Sequence, residues 1–224
     1  MALTVVCGSL LAIASEGLKD RQQANIALEQ KENILSTVMQ LQESDNIEEL
    51  YAKKVQGFVI DFDGNKLDGV APASINVGAE YKKAPQDRLL PVYEFRSETD
   101  PNKVEFVVLP VYGYGLWKNI WGFVALEADL NTLKGVKFQH AGETPGLGAR
   151  ITEAEVQARY VGKTIFEGQE ILSVEMMKGE GNDYSNEVHK VDGMSGATLT
   201  AKGVNNMLLD YFQCYKNYLS KLKS

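Results

Sequence analysis

Soft metal ligands are scarce in this chain: its 224 residues include two cysteines and two histidines. Cys7 and Cys214 stand at opposite ends without C-x-x-C spacing, so the polypeptide alone supplies neither a zinc site nor an iron–sulfur cluster. His140 and His189 add too little to change that, and redox chemistry would have to come from an organic cofactor. Positive charge is in deficit too, with 23 Lys and Arg against 30 Asp and Glu and a formal net charge of −7. General nucleic-acid binding needs a basic surface, and no basic patch with interleaved aromatics occurs, so that class of partner is excluded.

A long apolar run is also missing. Ala2 to Ala14 is apolar at nearly every position, yet it is thirteen residues long where a spanning helix needs about 20. It has no basic n-region of a signal peptide and no lipobox before Cys7. Three readings stay open: a buried core helix, a weak signal segment, or the outer part of a membrane anchor.

What is present, 44% hydrophobic and 24% charged residues without a fixed-period repeat, suffices for one compact domain plus an appendage. From Glu16 to Gln42, Ala24, Ala27, Leu28, Ile34, Leu35, Val38 and Met39 recur at helical spacing, with Lys19, Asp20, Arg21, Glu29, Lys31 and Glu32 on the other face. This predicts an amphipathic helix packed on a sheet. Strands are predicted over Val55 to Phe62, Val104 to Val111, Ile120 to Leu126, Gly135 to Phe138 and Ile171 to Met177. Arg150 to Tyr160 reads as a short helix opened by Thr152, and 71–86, 96–103 with its Asp100-Pro101-Asn102 turn, and a mobile 179–187 read as loops. A closing helix over about Thr200 to Leu222 buries Val204, Met207, Leu208, Tyr211, Cys214, Tyr215, Tyr218 and Leu219 along one face, with Cys214 an inert thiol. The fold class is α+β, a mixed or antiparallel sheet flanked by helices.

Chemistry concentrates just before that helix, in Asp192-Gly193-Met194-Ser195-Gly196-Ala197-Thr198-Leu199-Thr200. Two readings compete. In the commoner one Thr198 or Thr200 caps the helix and Gly196 relieves a bend. In the other, free N–H groups and the helix dipole hold a phosphate that Gly196 and Ala197 leave room for. A second segment, His140-Ala141-Gly142-Glu143-Thr144-Pro145-Gly146-Leu147-Gly148, brings its backbone close to whatever lies beside it, through Gly146 and Gly148. It is not a dinucleotide fingerprint, since Pro145 interrupts it and no βαβ unit follows.

Both segments resemble the motifs of the covalent FMN-binding domain family, and Tyr112-Gly113-Tyr114-Gly115-Leu116-Trp117 with Trp121-Gly122-Phe123 is a weaker third match. The family includes the C subunit of sodium-translocating NADH:quinone oxidoreductases and the G subunit of Rnf complexes. The likeness runs from about Leu10 to the C-terminus, and Gly193 and Leu199 favour the sodium-translocating branch. Ala201 departs from the Ser that the family usually carries there, beyond the modified residue.

The resemblance implies an FMN esterified through its phosphate to Thr198 by a dedicated flavin transferase. It implies cofactor contacts from Asp192, Ser195, Gly196, Ala197, Leu199, Thr200, Glu143, Thr144, Gly146, Leu147 and Trp117. Tyr114 and Trp121 read as packing residues. No catalytic side chain and no metal ligand is implied: the chain would relay electrons between other subunits of a membrane NADH:quinone reductase without a complete catalytic site of its own. Leu18-Lys19-Asp20-Arg21-Gln22 resembles the stretch that follows the family's N-terminal transmembrane helix. Residues 1–15 then read as the remnant of that anchor, 16–44 as a juxtamembrane helix, and 45–224 as an FMN-binding domain on the periplasmic side of the bacterial inner membrane. The alternatives are another extracytoplasmic flavin carrier, of Rnf type or free-standing, and a noncatalytic membrane-anchored binding module.

Overall fold

The computed structural model describes residues 2–97, 99–100 and 103–223, and the side chains of all of these but Ala2, Leu3 and Ala14. Helix α1 (Ala2–Ser36) is continuous, and most of it stands in solvent. Contact with the sheet begins at Glu29, which accepts from Gln139 Nε2 (2.9 Å), and at Gln30, whose Nε2 donates to Tyr93 Oη (3.2 Å). Of its described apolar side chains, only Ile34 and Leu35 are buried. The expectation of an amphipathic helix lying along a sheet through 16–42 is therefore corrected: Ala24, Ala27 and Leu28 are exposed because the helix projects past the sheet. It ends where the Ser36 and Thr37 hydroxyls bond the carbonyls of Asn33 (3.0 Å) and Ile34 (2.6 Å), in competition with the backbone.

The N-cap Asn46 opens α2 (Ile47–Lys54) by accepting from Glu49 N–H, and the chain enters β1 (Val55–Ile60) directly. There follow β2 (Lys66–Leu67), a single helical turn α3 (Val77–Glu80), β3 (Leu90–Arg96), β4 (Val104–Tyr114), β5 (Asn119–Glu127) and β6 (Leu133–His140). They form one antiparallel sheet in the order β2-β1-β3-β4-β5-β6. β3 is a strand that the local sequence pattern does not predict. Pro91 and Glu94 break that pattern, and proline argues against a central strand, but its neighbours complete it: Tyr215 Oη donates to the Pro91 carbonyl (2.9 Å) and Tyr218 Oη to buried Glu94 (2.9 Å). Pro101 and Asn102 of the expected turn lie outside the described residues.

After β6 the chain forms a 3-10 turn (Gly148–Thr152), α4 (Ala154–Ala158), a small hairpin of β7 (Phe166–Glu167) and β8 (Glu170–Ile171), and a parallel pair of β9 (Glu175–Met176) with β10 (Lys190–Val191). Thr152 does not open the helix here; its hydroxyl donates back to the Ala149 carbonyl (3.0 Å) and closes the 3-10 turn. The single strand expected at 171–177 is split by Ser173, whose φ of +67° no strand residue adopts.

Helix α5 (Thr198–Lys223) buries all eight residues of the predicted face. It covers one face of the sheet, while the end of α1 and α2 cover the other around Tyr93, Phe95, Val108 and Phe123. Burial pushes the Cys214 thiol up to about 11, in keeping with an inert cysteine.

Candidate flavin-binding groove

Three chain segments converge at the N-terminus of α5. Met194 to Ala197 make a tight turn, closed by Ala197 N–H on the Met194 carbonyl (3.2 Å), with Gly196 at φ +73°. A positive φ at the third position is what a type II turn requires, and glycine meets it without strain. Ala197 then stands where an N-cap would, its carbonyl accepting from Ala201 N–H (2.9 Å), and it has no side-chain oxygen. The capping reading fails for both threonines. Thr198 is already helical, and the Thr200 hydroxyl donates to Glu143 Oε2 (2.5 Å). Among the described residues, the first N–H groups of α5 meet no side-chain acceptor, leaving the positive end of the helix open to an anion.

Glu143 joins the segments. It is 4% exposed, and its other oxygen accepts from Trp117 N–H (3.0 Å) in the β4–β5 connection. Burial raises this carboxyl, but the Thr200 hydroxyl and the N–H groups of Trp117, Leu116 and Lys118 outweigh that and hold it below the ordinary value. Its own N–H donates to His140 Nδ1 (3.2 Å). Gly148 has no room for a side chain, since a Cβ would fall 2.6 Å from Glu143 Oε2 and against the Thr200 hydroxyl.

A groove of about 180 Å³ lies above these bonds, walled by Leu116, by Thr144, Leu147 and Gly148, and by 196–200. Leu116, Leu147 and Leu199 are 44%, 40% and 59% exposed, and Trp117 is 67% exposed with its indole N–H on Thr144 Oγ1 (3.1 Å). Free N–H groups beside an exposed apolar rim suit a ligand with a phosphate at one end and a flat ring at the other. The volume is below the roughly 300 Å³ at which enclosed small-molecule sites begin, so a flavin-sized ring would be covered only in part.

Of the residues singled out from sequence, Gly196, Ala197, Thr198, Leu199, Thr200, Thr144 and Leu147 wall this groove, with Glu143 beneath it and Trp117 at its side. Gly146 is exposed at φ +72° and turns the loop that presents Leu147. Asp192 and Ser195 are not brought to it. Asp192 accepts from the N–H groups of Gly181 (2.7 Å) and Asn182 (3.2 Å), and Ser195 N–H donates to Glu180 (3.1 Å). Leu116 and Gly148 lie within the matching motifs, though the resemblance does not single them out, and nothing in the local sequence marks Glu180. Tyr114 packs edge-on against Tyr81, and Trp121 donates to Gln139 (2.6 Å) on the other side of the sheet, both as packing residues. A larger cleft of about 560 Å³ lies there, between α1 and Trp121, but it contains none of the residues proposed to hold cofactor.

A profile described as the FMN-binding domain matches residues 115–213, which span all three walls of the groove. The chain is 37% identical to the Na(+)-translocating NADH-quinone reductase C subunit of Vibrio anguillarum, over 92% of this chain and 85% of that protein. It is 32% identical to the corresponding C subunit of Neisseria meningitidis serogroup A, over 100% and 92%. Among solved structures, the Na(+)-translocating NADH-quinone reductase C subunit from Parabacteroides distasonis superposes with a TM-score of 0.78 at 31% identity, covering 91% of this chain and 97% of that one. Shewanella oneidensis NqrC gives 0.77 at 27% identity, covering 87% and 96%.

Proposed function

The chain belongs to the C-subunit family of Na(+)-translocating NADH-quinone reductases, and on that premise we propose that it carries FMN, joined through the flavin phosphate to the Thr198 hydroxyl, as an electron carrier between partner subunits. The observation that carries this reading is the groove itself. Thr198 lines it in the first turn of α5, beside N–H groups with no side-chain acceptor, while the exposed Leu116, Leu147, Leu199 and Trp117 rim its far side. When bound, FMN supplies the redox chemistry that a chain poor in cysteine and histidine lacks. Leu147 and Trp117 would pack against the ring and the first N–H groups of α5 would hold the phosphate, while the Glu143–Thr200 bond sets the distance between the 143–148 loop and the start of α5. Attachment makes retention independent of affinity, which matters in a groove this shallow.

NADH oxidation and quinone reduction belong to other subunits, since no Rossmann-type motif occurs here. None of the described helices is long and apolar enough to cross a membrane. We assign the N-terminal part of α1, with Val5, Val6, Leu10, Leu11 and Ile13 all 55–70% exposed, to the membrane side of the complex, and the FMN domain to the periplasmic face. The flavin transferase is the maturation partner.

Intact-protein and peptide mass spectrometry after coexpression with that transferase tests the reading. The expected result is FMN less one water on the peptide holding Thr198, and none in Thr198→Val, whose fold is retained because one hydroxyl is lost. An unmodified parent chain, with the transferase active on a control, overturns it. A persistent adduct in Thr198→Val moves the attachment to another residue.

A further inference from the structure

Beside the turn that leads into Thr198, two loops exchange carboxylates. Glu180, in the 179–182 loop, accepts from Ser195 N–H (3.1 Å) in the 192–197 loop. Asp192, in the second loop, accepts from Gly181 and Asn182 N–H in the first. Two arginines lock the exchange. Arg150 donates to both oxygens of Glu180 (2.7 and 2.9 Å) in the bidentate geometry that fixes orientation as well as distance. Arg159 donates to Glu180 Oε1 (3.1 Å) and, through its other terminal nitrogen, to the carbonyls of Gly193 and Asp192. The stretch 179–187, expected to be mobile, is thus tied at its start to the loop that carries the attachment site. Arginine pairing, the Ser195 N–H and Arg159 hold the Glu180 carboxyl far below the usual carboxylate range, so the lock is charged at every pH where flavin attachment would proceed.

The geometry points to Glu180 as a positioning residue for flavin attachment: its hold on Ser195 N–H, braced by Arg150 and Arg159, fixes the Met194–Ala197 turn and with it the direction of the Thr198 hydroxyl. This rests on the attachment reading given above. Ser195 is three residues before Thr198, and the turn between them is closed by one backbone bond across its ends. Without the outside tether on Ser195, that turn can pivot about the start of α5. A transferase must bring the hydroxyl and a phosphorus centre into line, and displacement by about 1 Å costs on the order of a hundredfold in rate.

The test is the initial rate of FMN addition to the full chain coexpressed with flavin transferase, followed by intact mass, for the parent, Glu180→Ala and Glu153→Ala. Glu153 pairs with the same Arg150 (3.1 Å) from an exposed position and does not touch Ser195, so its variant removes the same charge and leaves the tether in place. A positioning role predicts a drop of about tenfold or more for Glu180→Ala, with Glu153→Ala at the parent rate and both variants folded in thermal unfolding. Equal rates for Glu180→Ala and the parent overturn the proposal, as do equal losses in both variants, which would mark a general charge effect. Should Glu180→Ala fail to fold, Glu180→Asp, which keeps the charge but is one methylene too short to hold both the arginines and Ser195 N–H, takes the same two readings. A parent that acquires no FMN is instead a failure of the attachment reading.

Discussion

α5 and α1 are the two long helices of this protein, and the chain uses them in opposite ways. Most apolar residues of α5 recur on one face, and the sheet buries that face, with Val204, Leu208, Tyr211 and Leu219 fully enclosed. The apolar residues at the start of α1 surround the helix, and Val5, Val6, Leu10, Leu11 and Ile13 remain exposed. A stripe tells a helix which neighbour to pack on within its own domain, whereas an apolar surface all round fits a helix that is enclosed by something else. α5 is therefore structural along its length and, with the attachment proposed above, functional at its first turn, while the described part of α1 contributes to the domain through its last turns.

The comparison is broken most severely by Leu208→Ala, which opens a cavity under the middle of α5. It is expected to cost about 2–5 kcal/mol in urea unfolding and to loosen the groove with it. Glu143→Gln is next, because it weakens the tie between the start of α5 and the loops at 116–118 and 143–148, with an expected loss of about 1–3 kcal/mol. Its pH dependence follows from the lowered carboxyl. The stabilisation by Glu143 is complete above its unfolded value of about 4.5 and disappears as pH falls through the lower folded value. The gap in unfolding free energy between parent and Glu143→Gln should therefore be constant from neutral pH to about pH 5 and narrow in stronger acid. At the small end, Leu11→Ser in α1 should leave unfolding of the domain within about 0.5 kcal/mol of the parent. A larger loss there would mean that α1 packs on the domain after all.

Local patterns reached some parts of this molecule and not others. The face of α5 was readable because burial against one sheet imposes a 3.6-residue period on the residues that meet it. β4, β5 and β6 were readable as short β-rich runs between turns. β3 was not, because Pro91 and Glu94 look wrong for a central strand until Tyr215 and Tyr218 are seen to satisfy them across more than a hundred residues of sequence. The groove divides in the same way. Thr198, Leu147 and Trp117 were reached through motifs, each a contiguous stretch. Glu180 lies in a segment whose glycines and charges signal only a loop, and its role depends on partners at Arg150, Arg159 and Ser195.

By itself, then, the sequence determined which residues could form helices and strands, that a chain with so few cysteines and histidines would draw redox chemistry from an organic cofactor, and which contiguous motifs resemble an FMN-binding domain, since each depends on neighbours in the chain. Tertiary structure alone decided that Thr200 serves Glu143 and not the helix cap, that Asp192 faces the 179–182 loop and not the groove, and that Glu180 ties the 179–182 loop to the 192–197 loop. Those outcomes depend on hydrogen bonds between distant segments, whose geometry appears only once the sheet has brought their ends together.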